Sequence, residues 1–184
     1  MPVKKKTVKS PAGADKTSAS AATAAAPASL ALEGRKAPAF ELPLGGGGTL
    51  KLADLVRKGN VVLYFYPKDM TTGCTAQACS FRDNLADVRK LGAQVVGVSA
   101  DAPASHVKFT GKYELNFPLL SDIDNQVGKL YGVYKMKSMY GRQYMGIERT
   151  TFVIDRAGVV RKVFPKVKVT GHTQEVVAAL KALE

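Results

Sequence analysis

The sequence predicts an α/β fold with a mixed central sheet that is covered by helices on both faces. Two continuous apolar runs, NVVLYFY at residues 60–66 and AQVVGVSAD at residues 93–101, are typical of buried strands. Apolar residues at helical spacing lie between them, which predicts a right-handed crossover and parallel pairing. Two later apolar segments flank a short turn and predict an antiparallel pair, so that the sheet is mixed.

The first element is a predicted hairpin. AFELPL (39–44) and TLKLADL (49–55) are two short alternating segments on either side of the glycine run 45–48. We interpret these glycines as the turn. A phosphate-binding loop would end in Gly-Lys-Ser/Thr and lead into a helix, and residues 49–51 do not supply that ending.

The remaining elements follow from periodicity and from helix-ending residues. Pro67 ends the first buried run, and Gly92 is predicted to end the crossover helix. That helix is indicated by apolar residues at helical spacing, namely Ala78, Phe81, Leu85, Val88 and Leu91. The later predictions are helices at 103–114 and 124–133, strands at 149–155 and 159–164, and a helix at 172–183. The predicted order is therefore β-α-β-α-α-β-β-α.

Composition divides the chain into a tail and one domain. Residues 1–32 are rich in Lys, Ala and Ser, with no aromatic and few branched apolar residues to stabilise a fold, so we predict a disordered tail. Residues 33–184 form the predicted domain. A secretory signal or an organelle transit peptide remains an alternative for the tail, although Ser, Thr and Pro interrupt its alanine-rich part and no arginine precedes Arg35.

The chain is basic, with a net charge of +12. Residues 1–30 carry five lysines and one aspartate, giving 5 − 1 = +4, and residues 125–168 carry ten Lys or Arg and two acidic residues, giving 10 − 2 = +8. Such charge permits contact with nucleic acid, most simply through the tail, but it is also typical of a solvated basic surface.

Other features bear on the compartment. No apolar run reaches the roughly 18 residues of a membrane span, so the sequence predicts no membrane partner. Two cysteines in a chain of 184 residues do not form a disulfide scaffold and favour a cytoplasmic protein.

Those two cysteines, Cys74 and Cys79, are the strongest chemical signal. Cys74 falls in the predicted first helical turn, where unpaired N–H groups and the helix dipole favour a thiolate. Threonines surround it at positions 71, 72 and 75, and the N–H groups of Gly73 and Cys74 could bind an incoming oxygen. The arrangement indicates an activated nucleophile.

An intact helix keeps the two cysteines apart. Residues five positions apart on an ideal helix have Cα atoms roughly 8.6 Å apart. A disulfide needs roughly 4.4–6.8 Å. We therefore predict separate thiols, and a local unwinding of the helix wherever a disulfide forms.

Other chemistries remain possible on the residues alone. Zinc binding would add His106 and His172, which lie far apart in sequence and do not give the usual paired spacing. A redox dithiol would have Cys-x-x-Cys spacing. Two buried structural cysteines are the third alternative.

The sequence resembles the peroxiredoxins, in particular their PrxQ/bacterioferritin comigratory protein branch. The resemblance is carried by FYPKDMTTGCTAQACSFRD, preceded by APAFEL and followed by GVSAD, FPLLSD and GIERTTFVID. It runs from about residue 33 to the C-terminus. It implies a thioredoxin-like fold and a thiol peroxidase that reduces hydrogen peroxide and organic hydroperoxides and is then reduced by thioredoxin or a similar dithiol, for antioxidant defence and redox homeostasis.

The resemblance also implies residue roles. Cys74 matches the peroxidatic cysteine, and Cys79 matches the resolving cysteine that closes an intramolecular disulfide. Thr71 would bind the peroxide and the thiolate, Pro67 would shield the pocket from water, and Arg149 would stabilise the thiolate and developing charge. It implies no metal, no organic cofactor and a monomer.

One position departs from the family. Thr72 stands where the motif commonly has proline, which we expect to loosen the loop slightly. Without the resemblance, Arg149 would be interpreted as an exposed charge paired with Glu148 or Asp155.

Several other residues are interpreted without an active-site role. Tyr64, Phe65 and Tyr66 are predicted core residues. His106 is predicted on a solvent-facing helix edge and His172 near the start of the last helix, both without catalytic roles. The competing function is a nucleic-acid-associated protein whose cysteines respond to redox state.

Overall fold

The computed structural model describes residues 27–184, in which a five-stranded sheet organises the chain. The strands are β1 (Glu41–Pro43), β2 (Thr49–Lys51), β3 (Asn60–Phe65), β4 (Ala93–Ser99), β5 (Leu119–Ser121), β6 (Tyr134–Met139), β7 (Arg142–Ile147), β8 (Thr150–Ile154) and β9 (Val160–Phe164). The helices are α1 (Leu52–Lys58), α2 (Thr72–Asp83), α3 (Leu85–Lys90), α4 (Pro103–Tyr113), α5 (Gln126–Leu130) and α6 (His172–Lys181).

The central sheet has the order β5-β4-β3-β8-β9. Strands β3, β4 and β5 are parallel, whereas β8 is antiparallel to β3 and β9 is antiparallel to β8. The mixed sheet is therefore confirmed, and so are the crossover between β3 and β4 and the hairpin of β8 and β9.

Both faces of the sheet are covered, as predicted. Alternate residues of β3 point to opposite sides because the side-chain period of a strand is two. Val61, Leu63 and Phe65 pack with the apolar residues of α1 and α5, and Val62 and Tyr64 pack with those of α2, α3, α4 and α6. Tyr64, Phe65 and Tyr66 are almost completely buried, which confirms that they belong to the core.

Several predicted elements have different bounds, and two of them change in kind or number. In TLKLADL only Thr49–Lys51 is a strand, and α1 begins at Leu52 because Leu52 and Leu55 are spaced to bury one helical face. The predicted crossover helix is two helices that meet at Asn84. The Asn84 side chain donates to the carbonyl oxygen of Ser80 (2.8 Å), which competes with continuation of the helix.

The structure also contains strands that the sequence did not predict. Strand β5 forms one edge of the sheet, and β6 and β7 pair with each other as a separate hairpin. Its turn, Tyr140-Gly141, has positive φ at both residues (50° and 77°), which fits the turn geometry that two-residue hairpins prefer.

The predicted tail, residues 1–32, lies mostly outside the described residues. Its last part, from residue 27, is described: Leu30–Leu32 forms a short 3-10 helix, and Leu30 and Leu32 pack against the core. This part of the predicted tail therefore belongs to the packed domain, because its two leucines cover apolar surface there.

Candidate active site

Cys74 lies in the first turn of α2, as predicted. It is the third residue of the helix and only 1% exposed, within the cluster that also contains Tyr64, Ala78 and Phe81. The chain reaches it from the carboxyl end of β3 through residues 66–71. A sulfur in this first turn is close to backbone N–H groups that have no partner within the helix.

Arg149 lies directly against the Cys74 thiol. Its Nη2 is 3.3 Å from Cys74 Sγ, and its Nη1 donates to Gln77 Oε1 at 2.6 Å. Arg149 stands between β7 and β8, and it holds the loop after β9 by accepting a backbone hydrogen bond from Val167 (2.9 Å). A guanidinium at this distance stabilises a thiolate electrostatically.

The alternative interpretation of Arg149 is wrong. Glu148 pairs with Lys135 (2.9 Å) and Asp155 pairs with Arg161 (2.6 Å), so neither carboxylate is the partner of Arg149. The resemblance correctly predicted that Arg149 lies beside Cys74.

Gly73 makes room for this arginine. A Cβ at position 73 would lie 3.2 Å from Arg149 Nη2, closer than most carbon contacts of real side chains. An alanine at position 73 would therefore require the guanidinium to shift by a few tenths of an ångström.

Cys79 is partly buried in the second half of α2, and the two thiols are free. The helix is continuous from Thr72 to Asp83, so the separate thiols that helical geometry predicts are confirmed. The neighbouring Ser80 hydroxyl lies 2.6 Å from that of Thr173, which ties this half of α2 to α6.

Thr71 and Pro67 lie in the segment that leads to the site, and the Thr71 hydroxyl is hydrogen-bonded elsewhere than to the thiol. Thr71 precedes the helix, and its hydroxyl donates to the carbonyl oxygen of Lys68 (3.1 Å). Pro67 is exposed and lines a cavity of about 270 Å³ together with residues of β6 and β7. The roles that the resemblance implies for these two residues stay predictions.

Thr72 is the first residue of α2. Proline is favoured at this position because its fixed φ suits the helix and the missing N–H would have had no partner there. In this chain α2 begins at this position with threonine in place of the proline that the motif commonly has.

Sequence reasoning missed Gln77. It is 1% exposed, orients Arg149 through Oε1, and its buried Nε2 has no partner among the described residues. The signal in the sequence was its spacing, because position i+3 from Cys74 falls on the same helical face.

The sequence analysis also missed a buried network next to the loop before Cys74. Asp69 accepts hydrogen bonds from the Tyr66 hydroxyl (2.6 Å) and the Ser105 hydroxyl (2.7 Å), and it pairs with His106 Nδ1 (2.8 Å). Burial raises the pKa of Asp69, but the hydrogen bonds from His106, Tyr66 and Ser105 outweigh that effect and hold the pKa below its usual value. The network anchors residue 69, five positions before Cys74.

The predicted exposure of His106 is wrong. This side chain is completely buried, with Nδ1 at Asp69 and Nε2 3.1 Å from the carbonyl oxygen of Leu120. Both ring nitrogens of His106 therefore have a polar partner inside the protein. Asp69, 37 positions earlier in the chain, supplies the buried carboxylate that His106 contacts.

His172 is the first residue of α6, as predicted, and it is also buried. Its Nε2 lies 2.8 Å from the Thr151 hydroxyl, and Phe81 and Phe164 meet its ring edge-on. Burial lowers the pKa of His172. None of these interactions of His172 involves Cys74 or Cys79.

Residues 27–184 contain neither a cluster of metal-ligand side chains nor a membrane-spanning helix. No three His, Cys, Asp or Glu side chains in that range are grouped to hold a metal ion, and no helix there is long and apolar enough to cross a membrane.

Comparison with known proteins gives a consistent result. The sequence pattern described as the AhpC/TSA family matches residues 34–163. The putative peroxiredoxin bcp of Coxiella burnetii is 53% identical over 147 residues, covering 80% of this chain and 97% of that protein. Peroxiredoxin Bcp of Bacillus subtilis is 47% identical over 148 residues, covering 80% and 94%.

A solved structure shares the fold. The bacterioferritin comigratory protein of Xanthomonas campestris, whose structures were studied for its alkyl peroxide reduction activity, superposes with a TM-score of 0.74 at 42% identity. The match covers 78% of this chain and 91% of the other.

Proposed function

This chain belongs to the AhpC/TSA family and is a thiol peroxidase of the Bcp/PrxQ peroxiredoxins with their thioredoxin-like fold, and we propose how its two cysteines reduce peroxides. The substrates are hydrogen peroxide and organic hydroperoxides. The alkyl peroxide activity of the Xanthomonas campestris relative supports the second class. The alternative of a nucleic-acid-associated protein has no support among these comparisons.

In the first step the Cys74 thiolate attacks the terminal oxygen of the peroxide. An S–O bond forms as the O–O bond breaks, which leaves a sulfenic acid on Cys74 and releases water or an alcohol after proton uptake. Arg149, 3.3 Å from the sulfur, stabilises the thiolate and the charge that moves to the leaving oxygen.

In the second step Cys79 resolves the sulfenic acid. Its sulfur attacks that of Cys74, an S–S bond forms and water leaves, which protects Cys74 from further oxidation. Two electrons from a dithiol such as thioredoxin then restore both thiols by exchange. The cycle needs no metal and no organic cofactor, because sulfur carries both electrons.

Thr71 and Pro67 complete the proposed site. Rotation of the Thr71 hydroxyl away from the Lys68 carbonyl would let it bind the incoming peroxide. Pro67 follows β3 and would limit access of water from the cavity that it lines. We further propose a monomer, because each chain carries both cysteines. We propose a cytoplasmic location, because two cysteines do not form the disulfide scaffold of a small secreted domain.

The observation that carries this proposal is the contact between Arg149 and Cys74 in the first turn of α2. It is tested by peroxide consumption with thioredoxin, thioredoxin reductase and NADPH. We expect Cys74→Ser to abolish turnover, and Cys79→Ser to consume one equivalent of peroxide and then stop. Full steady-state turnover of Cys74→Ser would refute the proposal.

A further inference from the structure

Exposed apolar side chains are concentrated on one hairpin next to the active site. Of the nine large hydrophobic residues that are well exposed within residues 27–184, five lie on β6, β7 and the turn between them: Met136 (59%), Met139 (54%), Tyr140 (99%), Tyr144 (39%) and Met145 (45%). These side chains do not contribute to the core. Their exposure is typical of a surface that binds a partner.

The base of the hairpin leads directly to the catalytic arginine. Strand β7 ends at Ile147, two residues before Arg149. Met136 and Met145 are directly paired across the hairpin, so that their side chains share one face. Four residues of extended chain separate Met145 from Arg149, about 13 Å.

Two further observations join the hairpin to the loop before Cys74. Tyr144 and Met145 line the same cavity of about 270 Å³ as Pro67. Met70, in that loop, is itself 41% exposed. We call Met70, Met136 and Met145 the docking patch; Tyr144, next to Met145 on β7, points to the other face of the hairpin with Lys137.

The charge around the patch selects an acidic partner. Residues 125–147 contain four Lys or Arg and no Asp or Glu. Lys135 is paired with Glu148 (2.9 Å), and the other three, Lys129, Lys137 and Arg142, have no acidic partner within residues 27–184. A second copy of the chain would bring like charges together, which is unfavourable. Methionine offers a nucleic-acid base neither hydrogen bonds nor an aromatic ring for stacking.

We propose that the docking patch binds the dithiol protein that reduces the enzyme, through an apolar surface rimmed by acidic residues. The inference rests on the proposed function, since it requires the Cys74–Cys79 disulfide. A protein interface of about 800 Å² per partner has a radius of roughly 16 Å. This exceeds the roughly 13 Å between Met145 and Arg149, so a reductant centred on the contact between Arg149 and Cys74 reaches Met145. The turn residue Tyr140, about 30 Å of strand away from Arg149, lies outside that footprint.

The chemistry requires such an encounter. A thiolate of the reductant attacks one sulfur of the disulfide, forms a mixed disulfide and releases the other sulfur as a thiolate. The second thiol of the reductant then attacks the reductant's own sulfur in the mixed disulfide, and the cysteine of this protein leaves as a thiolate. The reductant is then oxidised, and both Cys74 and Cys79 are reduced. A small dithiol performs the same exchange without needing the patch.

The test compares these two kinds of reductant on the disulfide form of the full chain, prepared with one equivalent of hydrogen peroxide. The probes are Escherichia coli thioredoxin and dithiothreitol, and acid quenching with mass spectrometry gives the rate constants. The variant is Met136→Ser with Met145→Ser, and the matched control is Tyr140→Ser. Circular dichroism verifies that both are folded.

We expect the double variant to lose at least tenfold in its rate constant with thioredoxin and less than twofold with dithiothreitol, and Tyr140→Ser to match the wild type with both. The thioredoxin rate alone is expected to fall as salt is raised. If peroxide produces no disulfide in the wild type, the proposed function fails at the preparation step, before any reductant is added.

Other results would overturn the docking proposal. An unchanged rate constant of the double variant with thioredoxin would show that the patch does not bind the reductant. A wild type that thioredoxin reduces no faster than dithiothreitol does would show the same. Equal slowing with both reductants would place the effect on the disulfide itself. Loss of a wild-type dimer in the double variant would assign the patch to self-association, and loss of binding to anionic vesicles with normal reduction would assign it to lipid.

Discussion

Arg149 holds the Cys74 sulfur at 3.3 Å with one nitrogen of its guanidinium while another donates to Gln77 at 2.6 Å. This two-pronged contact fixes the cation beside the sulfur, which a single flexible ammonium does less well.

The first prediction concerns this contact. We expect Arg149→Lys to lower kcat/KM for hydrogen peroxide about 100-fold, because lysine cannot hold Gln77 and the sulfur together and one aligned donor is lost. Rapid-mixing kinetics with the reduced protein measure this change. The exposed Arg156→Lys is the control and should match the wild type. A loss below threefold at position 149 would exclude a direct role for the guanidinium.

A second prediction concerns the buried pair of Asp69 and His106. Replacing His106 by Leu removes the Nδ1 partner of the buried Asp69 carboxylate, and leaving a buried acceptor without a partner is expected to cost about 2 kcal/mol of unfolding free energy. Urea unfolding measures it, with the exposed neighbour Val107→Ala as the control. Asp69→Asn in the His106→Leu background should recover part of the loss. A loss below 1 kcal/mol would show that the pair contributes little.

The third prediction concerns stability at mildly acidic pH. Burial lowers the pKa of His172, so below the ordinary histidine pKa of about 6.5 the unfolded chain binds a proton that the folded protein takes up only at lower pH. The folded state is therefore expected to lose stability as pH falls through that window, and His172→Gln should lose less. Urea midpoints at pH 7.5 and 5.5 measure the difference. Identical pH dependence in the two proteins would contradict this assignment.

A fourth prediction follows from the continuous helix α2. Because the two cysteines are too far apart on a helix, oxidation must unwind residues 74–82 and release Phe81 and the Ser80–Thr173 hydrogen bond. Amide hydrogen exchange in this segment should become at least tenfold faster in the disulfide form, while residues 176–180 of α6 serve as the control. Equal protection of 74–82 in both redox states would rule out the unwinding.

The sequence allowed the prediction of those parts of the fold that depend on local patterns. Continuous apolar runs predicted β3 and β4, and the resemblance predicted that Arg149 acts on Cys74, which it contacts in the structure. The break at Asn84 was missed because the apolar spacing of Phe81, Leu85 and Val88 continues through it. The burial of His106 depends on Asp69, 37 positions away, and no local pattern reports a contact of that kind.

The central claim is that Cys74 attacks the peroxide and Cys79 resolves the product. The most direct measurement is intact mass and free thiols of the reduced protein after one equivalent of hydrogen peroxide, for the wild type and for Cys79→Ser. The account predicts rapid formation of an internal disulfide in the wild type and a sulfenic acid trapped on Cys74 in the variant. Unchanged thiols in the wild type, or oxidation of Cys79 ahead of Cys74, would contradict it.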